Sequence, residues 1–336
     1  MRVLIVKTTS MGDVIHTLPA LTDAKRALPQ VQFDWVVEDS FAEVPSWHPA
    51  VDMVIPVAIR RWRKHILATL RSNEWKQFRT LLRKHHYDLV IDAQGLIKSA
   101  WVTWLTKAPA AGYDRESARE SLASWAYQHR YNVPRECHAV ERIRQLFAKA
   151  LDYELPAGKG SYGLDRKRFC GGTPEAPNVV FLHGTTWHDK HYPEVYWRQL
   201  ALELTQRNIR VRLPWGNETE KNRAHRIVDG IEGAEVLPKL NLNGVAAVLG
   251  QASAVVAVDT GLGHLSAAMD VPTVSLYGPT SPALVGAYGA NQIHLCASDC
   301  EPVLAEADPA VFSALTPQVV LGALQPLLPA TTTPVV

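Results

Sequence analysis

An aspartate near the start of the chain stands where a parallel sheet would place a reactive group. The run Val3–Val6 is apolar and β-branched without a break, which predicts a buried strand. A turn of small residues, 8–12, follows, and apolar residues then recur at helical spacing. Ligands and reacting groups gather at the carboxyl ends of strands in doubly wound sheets, so Asp13 is a candidate catalytic carboxylate. The spacing Ser10-x-x-Asp13 is equally typical of a capping box, in which Asp13 only caps a helix.

Residues suited to an anion follow two strands of the second half. The segment 259–264 reads Asp-Thr-Gly-Leu-Gly-His and offers backbone amides and a hydroxyl at a predicted helix N-terminus, which suits a diphosphate. A capped strand-to-helix turn explains the same residues without a ligand. Thr185, Thr186 and Lys190 follow an earlier strand and would add hydroxyls and a cation. Lys190 could equally be a solvated surface residue beside Asp189.

A carboxylate in the second half could recognise hydroxyl groups. Glu220 comes just after the predicted strand at 209–213 and could accept hydrogen bonds from a sugar or ribose. Its alternative role is an ordinary ion pair on a helix, with Lys221 or Arg223. The sequence has no G-x-G-x-x-G after its first strand, no Walker A lysine motif and no D-x-D. We therefore expect no metal site, and a diphosphate would have to be met by Lys190, backbone amides and hydroxyls.

Basic residues are concentrated in the first half. Between positions 60 and 84 there are nine lysines and arginines against a single acidic residue, Glu74, although the net charge of the chain is only +2. A solvated helix face is the ordinary explanation of a charge run, but the first arginines directly follow a predicted strand, where arginine suits phosphate or carboxylate capture. The candidate anion-binding cations are Arg60, Arg61, Arg63, Lys64, Lys98, Arg119 and Arg142. Nucleic acid is not expected as a partner, because no recognised nucleic-acid module is present.

Strands and helices alternate along both halves of the chain. In the first half, strand-like runs at 33–37, 53–56 and 89–92 are separated by helical stretches, which predicts a parallel sheet with right-handed crossovers. The pattern dissolves into glycine and proline at about 153–177 and then restarts. The sequence thus predicts an α/β protein whose two similar domains face a ligand cleft. The predicted parts are an N-terminal domain 1–160, a linker 161–177, a C-terminal domain 178–328 and a flexible tail 329–336.

The composition is that of a soluble globular protein, with 47% apolar and 20% charged residues. Lys7 and Asp13 interrupt the first apolar run, so no signal peptide is expected. The uncharged stretch 309–336 is divided by prolines into pieces too short for the ~20 residues of a membrane span. A terminal helix from about Pro317 to Leu328 is expected there. The four cysteines lack metal-binding spacing and are expected to be reduced thiols of a cytoplasmic protein.

Eight segments spread over both halves carry a resemblance to a known family. In the first half they are Lys7–Ala20, Phe33–Glu38, Pro45–His48, Ile59–Lys64 and Ile91–Lys98. In the second half they are His183–Thr186, Leu213–Gly216 and Val258–His264. Together these segments resemble the bacterial lipopolysaccharide heptosyltransferases of glycosyltransferase family 9. The match runs from Met1 to about Leu328 and is poor at 158–177.

The resemblance implies a GT-B fold, in which two Rossmann-like domains with parallel sheets face an interdomain cleft. It implies an inverting, metal-independent transfer of L-glycero-D-manno-heptose from ADP-heptose to the inner Kdo of Kdo2-lipid A, in lipopolysaccharide inner-core biosynthesis and without a cofactor. The first-half segments resemble the members that add the first heptose. Such an enzyme would be cytoplasmic and peripheral on the cytoplasmic side of the inner membrane. Trp62, Trp101 and Trp104 would then either rest on the membrane interface or pack in the core.

Site roles follow from the resemblance by matching position. Asp13 resembles the general base that deprotonates the acceptor hydroxyl. The donor-binding residues would be Thr185, Thr186, Lys190, Glu220, Asp259, Thr260, Gly261 and His264. The acceptor-binding residues would be Arg60, Arg61, Arg63, Lys64, Lys98, Arg119 and Arg142. The loop after the strand at 209–213 departs from the family pattern, which leaves open whether Glu218 or Glu220 faces the nucleoside.

Three other functions are compatible with this organisation. A nucleotide-sugar epimerase shares the two-domain form but has no need of a basic acceptor cluster. A later-acting heptosyltransferase would use an acceptor that already carries heptose. A sugar-nucleotide sensor would bind the donor without transfer. Release of ADP from ADP-heptose, with and without Kdo2-lipid A, distinguishes these functions.

Overall fold

Two parallel β-sheets, each flanked by helices, form the framework of the protein. The computed structural model describes residues 1–172, 176–300 and 308–328. The chain divides into two compact units, Met1–Leu164 and Asp165–Val336. Within the described ranges each unit contains one six-stranded sheet, which confirms the predicted α/β class with two similar halves.

The first unit is built on six strands and eight α-helices within the described residues. Its strands are β1 (Arg2–Val6), β2 (Gln32–Glu38), β3 (Val51–Val57), β4 (Leu89–Asp92), β5 (Ala110–Tyr113) and β6 (His129–Tyr131). Its helices are α1 (Met11–Ile15), α2 (Leu18–Ala27), α3 (Glu43–Ser46), α4 (Ile59–Trp62), α5 (Ile66–Arg71), α6 (Asn73–Leu82), α7 (Ile97–Thr106) and α8 (Ala139–Leu151).

The second unit repeats this construction. Its strands are β7 (Asn178–Leu182), β8 (Arg210–Leu213), β9 (Ala234–Val236), β10 (Ala254–Val258), β11 (Thr273–Tyr277) and β12 (Gln292–Cys296). Its helices are α9 (Glu194–Thr205), α10 (Glu218–Val228), α11 (Leu242–Gln251), α12 (Gly261–Ala268), α13 (Pro282–Val285) and α14 (Pro317–Leu324). Strands β7, β10 and β11 are buried along their whole length, as expected of strands covered on both faces.

Both sheets reverse their strand order at a central pair. The first sheet has the order β3-β2-β1-β4-β5-β6 and the second the order β12-β11-β10-β7-β8-β9, with every pair parallel. The connections therefore leave in opposite directions after β1 and β4, and likewise after β7 and β10. Ligands bind at such a switch point, outside the carboxyl ends of the strands. Asp13 follows β1 and Asp259 follows β10, so each unit has a candidate residue at its switch point.

The helical pattern after the first strand forms two helices. Helix α1 ends at Ile15 and α2 begins at Leu18, with Pro19 in its first turn. Proline has no amide hydrogen, and its ring collides with the carbonyl four residues earlier, which is that of Ile15. A break before Pro19 avoids this collision and leaves α1 as a short turn that carries Asp13.

Part of the predicted linker, 161–177, is attached to the second unit. The Arg166 guanidinium donates hydrogen bonds to the carbonyls of Gly250 (2.8 Å) and Ala252 (2.5 Å), at the end of α11. The terminal helix is α14, followed by a 3-10 turn. The predicted tail 329–336 lies outside the described residues.

A buried ion pair joins two helices of the first unit. Arg144 on α8 donates to the carboxylate of Asp23 on α2 at 2.6 Å, and both side chains are at most 2% exposed. The same guanidinium donates to the carbonyls of Gly158 (2.8 Å) and Pro156 (3.1 Å). This one side chain therefore fastens α2, α8 and the segment after α8 together.

We expect Asp23→Asn to lower the free energy of unfolding by ~3–5 kcal/mol, because the buried Arg144 guanidinium loses its buried counter-charge and keeps only the partly exposed Glu141 carboxylate. Asparagine fills the same volume, so no cavity contributes. Urea unfolding measures the change. Glu141→Gln is the matched control, since the Glu141 carboxylate pairs with Arg144 at 2.8 Å but is 30% exposed; its expected cost is below ~1 kcal/mol. Equal costs for the two variants would contradict this account.

Candidate active site

Asp13 caps the first turn of α1 and still reaches solvent. Its Oδ2 accepts hydrogen bonds from the Ser10 amide (2.8 Å) and the Ser10 hydroxyl (2.9 Å). This geometry confirms the predicted capping box. The side chain keeps 29% of its exposure. The same carboxylate can therefore cap the helix and accept a proton from a bound molecule.

Lys7 supplies the counter-charge of Asp13. The Lys7 ammonium is almost fully buried, lies 3.6 Å from Asp13 Oδ1 and donates to the carbonyl of Ala93 at 3.0 Å. Burial by itself raises the pKa of Asp13, but the Lys7 charge and the hydrogen bonds from Ser10 outweigh burial and lower the pKa to about 2. Sequence reasoning missed Lys7. Its signal was a lysine placed directly after a buried strand, where a cation needs a partner.

Gln94 holds the loop that leads to Asp13. Its Oε1 accepts hydrogen bonds from the amides of Thr8 (2.9 Å) and Thr9 (3.1 Å), and its Nε2 donates to the Thr9 carbonyl at 2.6 Å. Asp92, at the end of β4, accepts from the Gln94 amide (2.8 Å) and from the Tyr127 hydroxyl (2.7 Å). The side chain of Gln94 thus bridges the two loops of the switch point. In the sequence this residue stands out only as a member of the segment Ile91–Lys98, with no role of its own.

Three of the predicted acceptor cations lie close to this loop. The Lys98 ammonium donates to the Thr9 hydroxyl at 2.7 Å. Burial lowers the pKa of Lys98, the charges of Arg60 and Arg63 add to the shift, and Glu38 opposes it. Glu38 is itself buried and accepts a hydrogen bond from the Arg60 amide at 3.1 Å. Lys98, Arg60 and Arg63 therefore form one positive region at the carboxyl edge of the first sheet.

Arg61 faces a different environment from its neighbours. Its guanidinium donates to Glu74 at 3.0 Å and to Asp39 at 3.3 Å, so two carboxylates offset its charge. Lys64, three residues later, is exposed. The charge run of the sequence is thus divided between an acid-paired arginine and exposed cations.

The remaining two predicted cations lie on the other side of the sheet edge. Arg142 donates to the carbonyl of Ser117 at 2.7 Å, and its guanidinium lies 5.0 Å from the centre of the Tyr113 ring. Arg119 is exposed, and its positive charge acts on Lys7. Arg142 therefore packs on Tyr113 and binds the Ser117 carbonyl. The remaining N–H groups of its guanidinium can still bind an anion.

Lys190 and Asp259 form an ion pair at the switch point of the second sheet. The Lys190 ammonium donates to Asp259 Oδ2 at 2.6 Å, and both side chains are partly exposed, at 24% and 13%. The Thr185 hydroxyl donates to the Asp259 carbonyl at 3.3 Å. Thr186 is exposed beside them. The structure thus brings a cation, two hydroxyls and a carboxylate together at the ends of β7 and β10.

Glu220 lies among the strand-end loops, whereas Glu218 faces solvent. The Glu220 carboxylate accepts a hydrogen bond from the Gly216 amide at 2.7 Å. It also packs so closely on Gly184 that a Cβ there would lie 2.8 Å from its carboxyl carbon. Glu218 is 73% exposed and pairs with Lys221 at 3.6 Å. The sequence left open whether Glu218 or Glu220 faces a nucleoside. Of the two, Glu220 lies among the strand-end loops, where a ligand is expected.

The first turn of α12 offers backbone amides at the same edge. Thr260 is the N-cap residue, its hydroxyl accepts no capping hydrogen bond, and Gly261 opens the helix. The first amides of a helix have no carbonyl partner within it and suit an anion. His264 is buried within this turn. These three predicted donor residues therefore continue the polar edge formed by Lys190 and Asp259.

Three properties concern the described part of the chain as a whole. It contains no group of three or more histidine, cysteine, aspartate or glutamate side chains that could hold a metal ion. None of its helices combines the length and the apolar character needed to cross a membrane. The four cysteines, Cys137, Cys170, Cys296 and Cys300, are free thiols.

Known proteins are similar to this chain in sequence and in fold. Residues 75–310 match glycosyltransferase family 9 (heptosyltransferase). Lipopolysaccharide heptosyltransferase 1 of Pseudomonas aeruginosa is 62% identical over 307 residues, which cover 90% of this chain and 86% of the relative. The solved structure of E. coli heptosyltransferase WaaC with ADP is 49% identical, with a TM-score of 0.90 over 97% of this chain and 100% of that one. The structure of WaaC with ADP-2-deoxy-2-fluoro heptose has a TM-score of 0.86 and covers 97% and 99%.

The two Rossmann-like units and their polar switch points define a GT-B glycosyltransferase. Sequence and structure together place the chain more narrowly. It belongs to glycosyltransferase family 9 and is a heptosyltransferase. The resemblance seen in the sequence is confirmed, and the epimerase and sensor alternatives are set aside.

Replacing Lys7 by glutamine should raise the pKa of Asp13 from about 2, because the positive charge is lost while burial remains. Because the pKa of Asp13 is lower in the folded state, its ionised carboxylate stabilises the fold at pH values above ~4, the ordinary pKa of aspartate. This stabilisation is lost as the pH falls from ~4 toward 2. In the variant that loss should occur at higher pH. A carbon-13 NMR titration of the Asp13 carboxyl measures the shift directly.

Lys25→Gln is the control for this titration. Lys25 is a cation of α2 whose ammonium donates to the Val31 carbonyl at 2.8 Å. Its replacement should leave the pKa of Asp13 unchanged. An unchanged pKa in Lys7→Gln would mean that Lys7 is not the counter-charge.

Proposed function

We propose that this heptosyltransferase transfers L-glycero-D-manno-heptose from ADP-heptose to the inner Kdo of Kdo2-lipid A, with inversion at the anomeric carbon. The ADP and fluorinated ADP-heptose bound to its E. coli relative support the donor. The name of its Pseudomonas relative supports a lipopolysaccharide acceptor and the first heptose. The observation that carries the proposal is the ionised, partly exposed carboxylate of Asp13 at the switch point of the first unit.

The proposed chemistry is a single displacement. Asp13 takes the proton of the acceptor hydroxyl while the oxygen attacks the anomeric carbon from the face opposite the diphosphate. The bond from that carbon to the diphosphate breaks, and ADP leaves with both electrons. A carboxylate of low pKa is a weak base, so proton transfer would be late and would depend on close positioning of the hydroxyl. The contacts of Lys7 and Ser10 with Asp13, and of Gln94 with the loop before it, hold the carboxylate in place for this transfer.

The leaving diphosphate needs positive charge and hydrogen-bond donors. We assign this task to Lys190, the hydroxyls of Thr185 and Thr186, and the first amides of α12 after Thr260. Preorganised donors and cations of this kind stabilise negative charge as it develops on the leaving group. In other enzymes a metal ion has this role. Glu220 would accept from the ribose, and Asp259, Gly261 and His264 would line the sugar and diphosphate pocket.

The acceptor is a polyanion, and the first unit offers cations for it. We assign Arg60, Arg63 and Lys98 to its carboxylates or phosphates, with Lys64, Arg119 and Arg142 as further contacts and Arg61 as an indirect one. Because the acceptor is a membrane lipid, the enzyme would work in the cytoplasm, peripherally on the inner membrane.

Asp13→Asn should lower turnover ~10²–10⁴-fold, because an amide cannot take the proton. Its oxygen can still accept from Ser10, so the lost capping should cost below ~1 kcal/mol. The buried Lys7 ammonium also loses its counter-charge, so the free energy of unfolding should fall by a further few kcal/mol. Release of ADP measures turnover, and urea unfolding checks the fold. A stable variant with near-normal turnover would remove Asp13 from the mechanism.

Lys190→Ala should raise the donor KM and lower kcat, because the diphosphate loses its cation and meets the unpaired Asp259 carboxylate. The acceptor KM should change little. Initial rates at varied ADP-heptose measure the effect. Lys167→Ala, which removes an exposed lysine of the same unit, is the control.

The same assay tests the absence of a metal from the proposed mechanism. A chelator should leave wild-type turnover unchanged, since Lys190 and the helix amides carry the charge of the leaving group. A strict requirement for magnesium in the purified enzyme would overturn this part of the proposal.

Replacing Arg60, Arg61, Arg63 and Lys64 together by glutamine should raise the acceptor KM at least about tenfold and change the donor KM little, because charge-assisted hydrogen bonds are lost. High salt should have a similar effect on the wild type. Arg61→Gln alone is the matched control, since two carboxylates already offset its charge; its effect should be smaller than that of Arg63→Gln. Equal losses for donor and acceptor would mean that the cluster supports the fold.

A further inference from the structure

A pocket of about 700 Å³ opens on the first unit between α4, α6 and α7. Six apolar side chains form most of its wall: Ile59, Trp62, Trp75, Leu96, Ile97 and Trp101. We call this cavity the indole pocket. None of the sequence-predicted donor or catalytic residues belongs to this wall.

The three indole rings form a continuous apolar surface. Trp75 and Trp101 stack with their ring centres 5.6 Å apart, and Trp62 meets Trp75 edge-on at 5.7 Å. The Trp62 indole nitrogen already donates to Glu74 at 3.1 Å. Trp101 remains 39% exposed and Ile97 52% exposed, so the wall is accessible from outside. Apolar surface of this extent in a concave pocket is typical of a site for an apolar group.

Polar groups line one part of the same pocket. Arg63 and Lys98 supply cations there, and Glu120 is engaged by the Ile97 amide at 2.7 Å. Lys98 also donates to the Thr9 hydroxyl at 2.7 Å, and Thr9 immediately precedes the Ser10 that binds Asp13. The first unit therefore presents three kinds of group in order: the carboxylate of Asp13, then the cations, then the indole rings.

We propose that the indole pocket binds an acyl chain of the glycolipid acceptor. The inference rests on the proposed function and names the part of the acceptor that the cations do not contact. An amphiphile has its reactive sugar, its anionic groups and its acyl chains in the order in which the structure offers Asp13, the cations and the indole pocket. A sugar ring can stack its C–H face on an indole, but its hydroxyls would need polar partners that the six apolar side chains do not supply. A hydrocarbon chain needs no polar partner.

The test compares Kdo2-lipid A with its fully deacylated counterpart, both dispersed in the same detergent. Wild-type KM should be lower for the acylated acceptor. Trp101→Ala and Ile97→Ser should each raise that KM at least about tenfold, as the loss of a few buried methylene contacts implies. The KM of the deacylated acceptor should change by less than about twofold. Trp104→Ala is the matched control, because it removes a 69% exposed indole from the same helix outside the pocket.

Several outcomes would overturn the proposal. Equal losses for the two acceptors would mean that the indole rings touch sugar or support the fold. Equal effects of Trp101→Ala and Trp104→Ala would indicate contact with a bilayer or micelle surface. A wild type that does not distinguish the two acceptors would exclude an acyl site.

Failure of the proposed function gives a different result. If the wild type transfers heptose to neither acceptor, the acceptor assignment is wrong. Equilibrium titration of the enzyme with the two glycolipids, without ADP-heptose, then tests the indole pocket by itself. Tighter binding of the acylated lipid that is lost in Trp101→Ala supports the pocket, and its absence refutes it.

Discussion

The ion pair between Lys7 and Asp13 is the constraint on which the carboxyl edge of the first sheet depends. Lys7 stands directly after β1, where its ammonium is nearly buried, and burial of an unpaired charge costs several kcal/mol. The loop must therefore bring Asp13 and the Ala93 carbonyl to it. The same contact keeps Asp13 ionised and fixes its position. The contact that stabilises the loop thus also prepares the carboxylate that we propose as the general base.

The second unit also has an ion pair between a lysine and an aspartate at its switch point. Lys190 and Asp259 meet at 2.6 Å across the switch point of their own sheet, but both are more accessible than Lys7. An accessible pair can exchange its partners for those of a ligand at lower cost than a buried one. This difference suits the two tasks that we propose, since a base must stay in position while a phosphate-binding lysine must change its partner.

The run of basic residues shows how tertiary contacts divide a charge pattern. Arg61 is paired with Asp39 and Glu74, whereas Arg63 lines the indole pocket. Arg61 lies in α4 and Arg63 directly follows the end of that helix, so the two side chains, two positions apart, point to different sides. Arg61 is therefore less available to an anionic ligand than Arg63, although the sequence gives no sign of the difference.

The sequence by itself determined the α/β class, the capping box at Ser10, the family and the strands made of long apolar runs, because each of these is encoded in neighbouring residues. It did not indicate β5, whose four residues include no β-branched side chain. The clamp from Gln94 to Thr8 joins residues 86 positions apart, and the contact of Glu220 with Gly184 joins two separate strand-end loops. Only the tertiary structure decided these features, because the pairing of β1 with β4 and the packing of separate loops bring together residues that no local pattern connects.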